Sequence, residues 1–128
     1  MANAVNTQTI VDGARNAVVK ITGVLDTSNV SSTIVIDPAT FSPLPTGFRI
    51  DHIDYSISDP LEVRLLWDGT PQLDILPLAG RGRMSFWNFG GLQNNATSPT
   101  GKIALQTTGY STGTLVFSVV LELVKQGV

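Results

Sequence analysis

The chain has 128 residues, 42% of them hydrophobic and only 14% charged, with a net charge of -2 and no cysteine. This length supports one domain with one sizeable core. The missing cysteines exclude disulfides, thiolate metal sites and cysteine nucleophiles, and the acidic balance argues against a long-range grip on nucleic acid or anionic lipid.

Charged residues make up about 25% of a typical soluble domain. Here the surface is built from Ser, Thr, Asn, Gln and Gly instead, as expected if partners cover much of it. The opening "MANAVNTQTIVDGARNAVVK" has neither the basic nor the apolar region of a signal peptide. No apolar run reaches the ~20 residues of a membrane helix; the best candidate, "TLVFSVVLELV", is shorter and contains Glu122.

Helical periodicity is almost absent, and strand signals recur between clusters of Gly, Pro, Asp, Asn and Ser. Residues 1 to 16 are expected to form a polar arm, with its apolar point at Ile10 and Val11. Such arms order on a partner's surface. A β-sandwich domain is expected over residues 17 to 128. Its first strand, at 16 to 25, places Val19, Ile21, Gly23 and Leu25 on one face and Val18 and Val24 on the other. A short strand at 32 to 37 ends at Pro38, and a connector with three prolines in ten residues follows. Within 48 to 57 the alternation slips: Phe48 and Ile50 are even, whereas Ile53, Tyr55 and Ile57 are odd. One extra residue, a β-bulge, does this.

Residues 61 to 68 alternate, with Leu61, Val63, Leu65 and Trp67 inward and Leu66 the exception. Asp68-Gly69 signals a hairpin, after which Leu73 and Ile75 continue the alternation until Pro77. Residues 83 to 89, "RMSFWNF", predict an aromatic strand that is apolar on both faces. Met84 and Phe86 point one way, Trp87 and Phe89 the other. A loop is predicted at 90 to 101 and a strand at 102 to 109. The longest strand, at 114 to 126, turns Leu115, Phe117, Val119, Leu121 and Leu123 inward. About eight strands without crossover helices predict an all-β fold: a single-domain antiparallel β-sandwich or jelly roll, with an up-and-down barrel as the topological alternative.

Little in the chain points to catalysis, and no enzymatic activity is expected. The single histidine, His52, would have to serve any Ser-His-Asp arrangement, and no G-x-S-x-G elbow is present. His52 and Asp54 share a strand face, but zinc takes three or four ligands, so neither metal nor cofactor is expected. Several acids, among them Asp12, Asp26, Asp37 and Asp68, sit at turn positions. "AGRGR" leads into a strand rather than a helix and is no phosphate cradle. Arg81 and Arg83 lie beside aromatics, but two cationic contacts bind nucleic acid weakly, so no nucleic-acid partner is expected.

Two binding readings remain. Trp67, Trp87, Tyr55 and Tyr110 could stack on a saccharide, although Trp67 alternates with core leucines and Trp87 is the one free to face outward. A subunit interface favours aromatics, Met and Arg over Lys and Glu, which is the composition of residues 80 to 95, "GRGRMSFWNFGGLQNN". The candidate contact residues are Arg81, Arg83, Trp87, Phe89, Leu92 and Asn94, with Ile10 and Val11 on the arm.

The runs "VVKITGVLDTSNVSSTIVID", "FRIDHIDYSISDPLEVRLLWDG", "GRGRMSFWNFGGLQNN" and "GKIALQTTG…TLVFSVVLELVKQ" span most of the chain. In overall pattern, without a diagnostic motif, the chain resembles small virion structural proteins of tailed bacteriophages, capsid decoration (cement) proteins among them. The resemblance implies a non-enzymatic β-sandwich or jelly roll on the capsid surface, made in the bacterial cytoplasm. Its partners would be the major capsid protein or other virion proteins, with self-association as a dimer or trimer and no membrane contact. A neck or tail component, or a carbohydrate-binding host-attachment module, are the alternatives.

Overall fold

A computed structural model describes residues 3–127. Among these residues nine strands form two antiparallel sheets. They are β1 (Ala4–Asp12), β2 (Asn16–Leu25), β3 (Thr33–Ile36), β4 (Gly47–Ile57), β5 (Glu62–Trp67), β6 (Leu73–Leu78), β7 (Arg81–Ser85), β8 (Ile103–Thr108) and β9 (Leu115–Gln126). The sheet orders are β1-β2-β9-β4-β7 and β3-β8-β5-β6. With β1 set aside, this is jelly-roll connectivity. The chain crosses between sheets at every connection except β1–β2 and the β5–β6 hairpin. The first and last strands of the roll, β2 and β9, therefore lie side by side.

Period-two alternation builds the core. Val19 and Ile21 of β2, Val119 and Leu121 of β9, Val63 and Leu65 of β5, and Ile103 and Leu105 of β8 are completely buried between the sheets. Each such side chain contributes about 1.5–3 kcal/mol when removed from water. In β4 the register shifts between Ile50 and His52, so the predicted bulge is present and both Ile50 and Ile53 reach the core. A second irregularity opposite Leu65 and Leu66 leaves Ile75 of β6 as the extra residue, while β5 itself stays regular against β8 and the exceptional Leu66 is buried on the face opposite Leu65 and Trp67. Pro77 does not end β6 but pairs with Arg64 inside it. It is tolerated because β6 borders its sheet and needs no donor on its open side.

Two expectations are corrected. Within the expected arm, Ala4–Asp12 is a strand, paired with β2 through most of its length; residues 1 and 2 lie outside the described residues. β1 was hard to read because an edge strand with few apolar side chains carries little alternation. A bulge at Ile10, between Thr9 and Val11, disturbs what there is. The aromatic strand is also shorter than predicted. β7 stops at Ser85, and Trp87–Phe89 form a 3-10 turn.

The same parity that buries Leu121 and Leu123 carries on to Lys125, whose side chain is fully enclosed. A buried ammonium needs partners. Lys125 Nζ donates to Asp12 Oδ1 at 2.5 Å, to the Ser42 carbonyl at 3.0 Å and to the Pro43 carbonyl at 3.3 Å. Its Nζ also lies 5.7 Å from the centre of the Phe41 ring. Asp12 is thus more than a turn residue. It ties the end of β1 to β9 and to the proline-rich connector.

Two outcomes follow from this packing. Gly23 lies against the Phe117 ring so closely that an added Cβ would collide with it. Gly23→Ala should lower unfolding stability by about 1–3 kcal/mol in urea denaturation, the usual cost of overpacking. The second outcome concerns acid. Hydrogen bonds from Lys125 and from the Ser42 N–H hold the Asp12 carboxyl below its ordinary 3.8. Bonds from Thr100 and Gln72 do the same for Asp68. A depressed carboxyl stabilises the fold above its unfolded value and loses that contribution as pH falls through the folded value. Thermal midpoints should therefore drop as pH is lowered from about 4, and Asp12→Asn should remove part of that slope.

Candidate functional site

The candidate site stands where the chain leaves β7. Ser85 is the last residue of the ladder, opposite His52. The Phe86 N–H still donates to the Asp51 carbonyl at 2.7 Å. Phe86 then abandons the extended conformation, at φ -123° and ψ -5°, and the 3-10 turn begins. Gly90 closes the turn with φ 92°, and Gly91 follows with φ 79°. Both are conformations that glycine adopts without cost. Gly91 is required for space as well: a Cβ there would come within 2.6 Å of Arg49 Cγ and 2.7 Å of Asp51 Oδ1. Leu92 then rejoins β4, exchanging two backbone bonds with Ile50 at 2.8 and 3.2 Å. The turn is thus pinned at both ends to consecutive residues of β4, at its bulge.

This geometry separates the aromatics. Met84 and Phe86 are partly buried against the core. Trp87 and Phe89 are 61% and 65% exposed. Their outward direction was anticipated, but the cause differs. They project from a turn held off the sheet, not from the second face of a strand. Phe86 meets Phe89 edge to face, with ring centres 6.0 Å apart.

Behind Trp87 runs a groove of about 450 Å³ on the outer face of the five-stranded sheet, lined among others by Asn16, Val18, Asp51, His52, Glu122 and Val124. The β1 bulge brings Val11 opposite Val18 on this face, so Val11 lines the groove with Trp87. These two predicted residues are brought together. Arg83 stands beside them, reaching Glu122 Oε2 at 3.1 Å and Asp54 Oδ2 at 3.3 Å. The other predicted contacts separate. Arg81 is exposed at the far end of β7, opposite Ser56, and makes no side-chain bond among the described residues. Leu92 is half-buried on Ile50. Asn94 accepts the Ala96 N–H at 2.9 Å, capping its own loop. Ile10 is exposed at the β1 edge.

Sequence reasoning missed Asn16, Val18 and Glu122 as groove residues. They come from β2 and β9, far from the aromatics in the chain, and only the register places Val18 and Glu122 in one row, with Asn16 two residues along β2.

That row also holds Ser85, His52 and Glu122, on adjacent strands. His52 Nδ1 lies 2.9 Å from Ser85 Oγ. A serine nucleophile needs a base oriented by a third group, and donors for the oxyanion. Here Glu122 is engaged by Arg83, and no His52–Glu122 hydrogen bond forms among the described residues. No group of three or more acids or histidines is gathered to hold a metal among the described residues. The arrangement is an aromatic pair on a turn pinned at both ends, beside a groove with apolar, carboxylate and imidazole walls. No helix among the described residues is long and apolar enough to cross a membrane.

Comparison with protein-family models, with curated proteins and with solved structures gives no match.

The turn's two outward aromatics contribute little to folding. Trp87→Ala and Phe89→Ala should each shift unfolding stability by less than about 0.5 kcal/mol, as exposed substitutions do. Phe86→Ala should cost clearly more by the same urea titration.

Proposed function

We propose that this chain is a non-enzymatic structural subunit of a tailed-phage virion, acting as a capsid decoration protein. In this reading it is made in the bacterial cytoplasm and binds the major capsid protein at the head surface. It associates with itself as a dimer or trimer and takes no cofactor. The observation that carries the reading is the exposure of Trp87 and Phe89 on a turn fixed at both ends. Interfaces concentrate their binding energy in such aromatic anchors. Low charge across the rest of the surface supports the same reading, because interface cores are depleted of charge. Jelly rolls serve in viral capsid domains and equally in lectins; fold alone does not choose between them. The mechanism is mechanical: apolar and amide surface buried across capsomer boundaries adds binding free energy that opposes internal pressure.

A neck or tail position in the virion uses the same surface. One observation favours a second class. The groove beside Trp87 combines an aromatic face with Asp51, Glu122 and Asn16, a composition that suits a saccharide hydroxyl array.

Co-sedimentation with DNA-free phage heads separates these readings. The wild-type chain should pellet with the heads, and Trp87→Ala/Phe89→Ala should weaken binding on the order of tenfold or more. Failure to pellet sinks the decoration role. Recovery with isolated tails would assign the neck or tail instead. Glycan-array binding abolished by Trp87→Ala, without head binding, would assign the saccharide reading.

A further inference from the structure

Four strands border the two sheets: β1 and β7 in one, β3 and β6 in the other. Three of these edges carry features that obstruct the addition of another strand. β6 contains Pro77 and the charged Asp74. β7 is five residues long, carries Arg81 and Arg83, and turns out of the sheet after Ser85. β3 has four residues and a register irregularity between Ile34 and Ile36.

Of these protections β1 has only a register irregularity, the bulge at Ile10, which leaves residues 4–9 regular. It is nine residues long, without proline, and uncharged until Asp12. Among the described residues it pairs only with β2. The backbone groups on its other side have no partner among the described residues. Nor is it a strand waiting to be exchanged. The connection to β2 is a tight turn, closed by Gly13 N–H on the Asn16 carbonyl at 2.8 Å, and Asp12 is fastened to Lys125. Its inner side is occupied and its outer side is open.

We propose that β1 of a second copy occupies this edge, antiparallel, across a two-fold axis at Thr7. The proposal gives a geometry to the self-association named above and rests on that part of the reading alone; it does not require a virion. Its support is the self-complementarity of the strand. Val5, Thr7 and Thr9 lie opposite Gly23, Ile21 and Val19 of β2, so they face the core side. Asn6 and Gln8 lie opposite Thr22 and Lys20, on the outer side. With Thr7 facing Thr7, Val5 meets Thr9 and Asn6 meets Gln8. Threonine pairs, β-branched pairs and amide pairs are all favourable cross-strand neighbours, and no like charges oppose one another. The bulge at Ile10 ends the ladder before Asp12.

A second feature agrees. At this border the sandwich is open, with a groove of about 390 Å³ between the sheets lined by Thr7, Thr9, Ile34, Val35, Asp37 and Thr40. Ile34 is 40% exposed there. A strand added beside β1, about 4.8 Å further out, would extend the sheet over this groove.

Sedimentation velocity on the purified full chain tests the proposal. The expected species is a dimer of the 13.6 kDa chain. Thr7→Lys sets two ammonium groups face to face at the axis and should weaken dimerisation by about tenfold or more. Thr7→Glu should do the same, and mixing the two variants should restore the dimer, which a merely misfolded variant could not do. Trp87→Ala/Phe89→Ala should leave the dimer intact. A wild-type monomer or trimer would overturn the proposal, as would a Thr7→Lys dimer of unchanged affinity or a mixture that fails to recover. Loss of the dimer in Trp87→Ala/Phe89→Ala would move self-association to the aromatic turn. Capsid binding is read separately, so it can fail while the dimer stands, and the reverse.

Discussion

Ile50 and Ile53 are both fully buried, although a regular strand would send residues three apart to opposite faces. The extra residue in β4 reconciles them, and the candidate site is arranged around that adjustment. After the bulge, His52 stands on the outer face in line with Glu122 and Val18. Asp51 and Ile50, on either side of the change in phase, supply the attachment points of the aromatic turn. Trp87 and Phe89 are displayed because the turn between those points is short, glycine-closed and held by backbone bonds. Restoring a regular β4 would turn one of the two isoleucines into solvent and reface every residue after it.

The fold was legible wherever alternation was strong. β2, β4, β5, β8 and β9 each carry a run of apolar residues at period two, and even the β4 bulge could be read from the change of parity. β1 was not legible, because Asn6, Thr7, Gln8 and Thr9 give no apolar face to count. The end of β7 was hidden for the opposite reason. Apolar residues continue through Phe86, Trp87 and Phe89, and only Gly90 and Gly91 hint that the chain has already turned. Of the candidate contacts, Trp87 and Val11 come together and Arg83 stands beside them, while Arg81 and Asn94 lie elsewhere. Their composition was visible in the sequence; their separation is set by register, which composition does not encode.

Lys125 shows how a strand can carry polar chemistry inward without losing its pattern. Its position belongs to the apolar face of β9, and its ammonium is satisfied by groups from two other places in the chain: Asp12, and the adjacent Ser42 and Pro43 carbonyls. Such a cluster specifies geometry more than it adds stability, because desolvating the charge offsets much of what its partners return. Here the geometry specified is the seat of β1 on the sandwich. A strand with little buried apolar surface is the one held by a charge.

The unequal protection of the sheet borders bears on how large an assembly can grow. A contact that uses the same strand on both copies consumes that strand twice and leaves no copy of it exposed, so it closes at once. Polymerisation through backbone ladders would need a second receptive border. The proline of β6, the arginines and early exit of β7 and the brevity of β3 withhold one. A domain this rich in strand and this poor in charge is otherwise suited to fibre growth by ladder addition. In the proposed β1 dimer the aromatic turn, which follows the opposite border strand of the same sheet, stays uncovered.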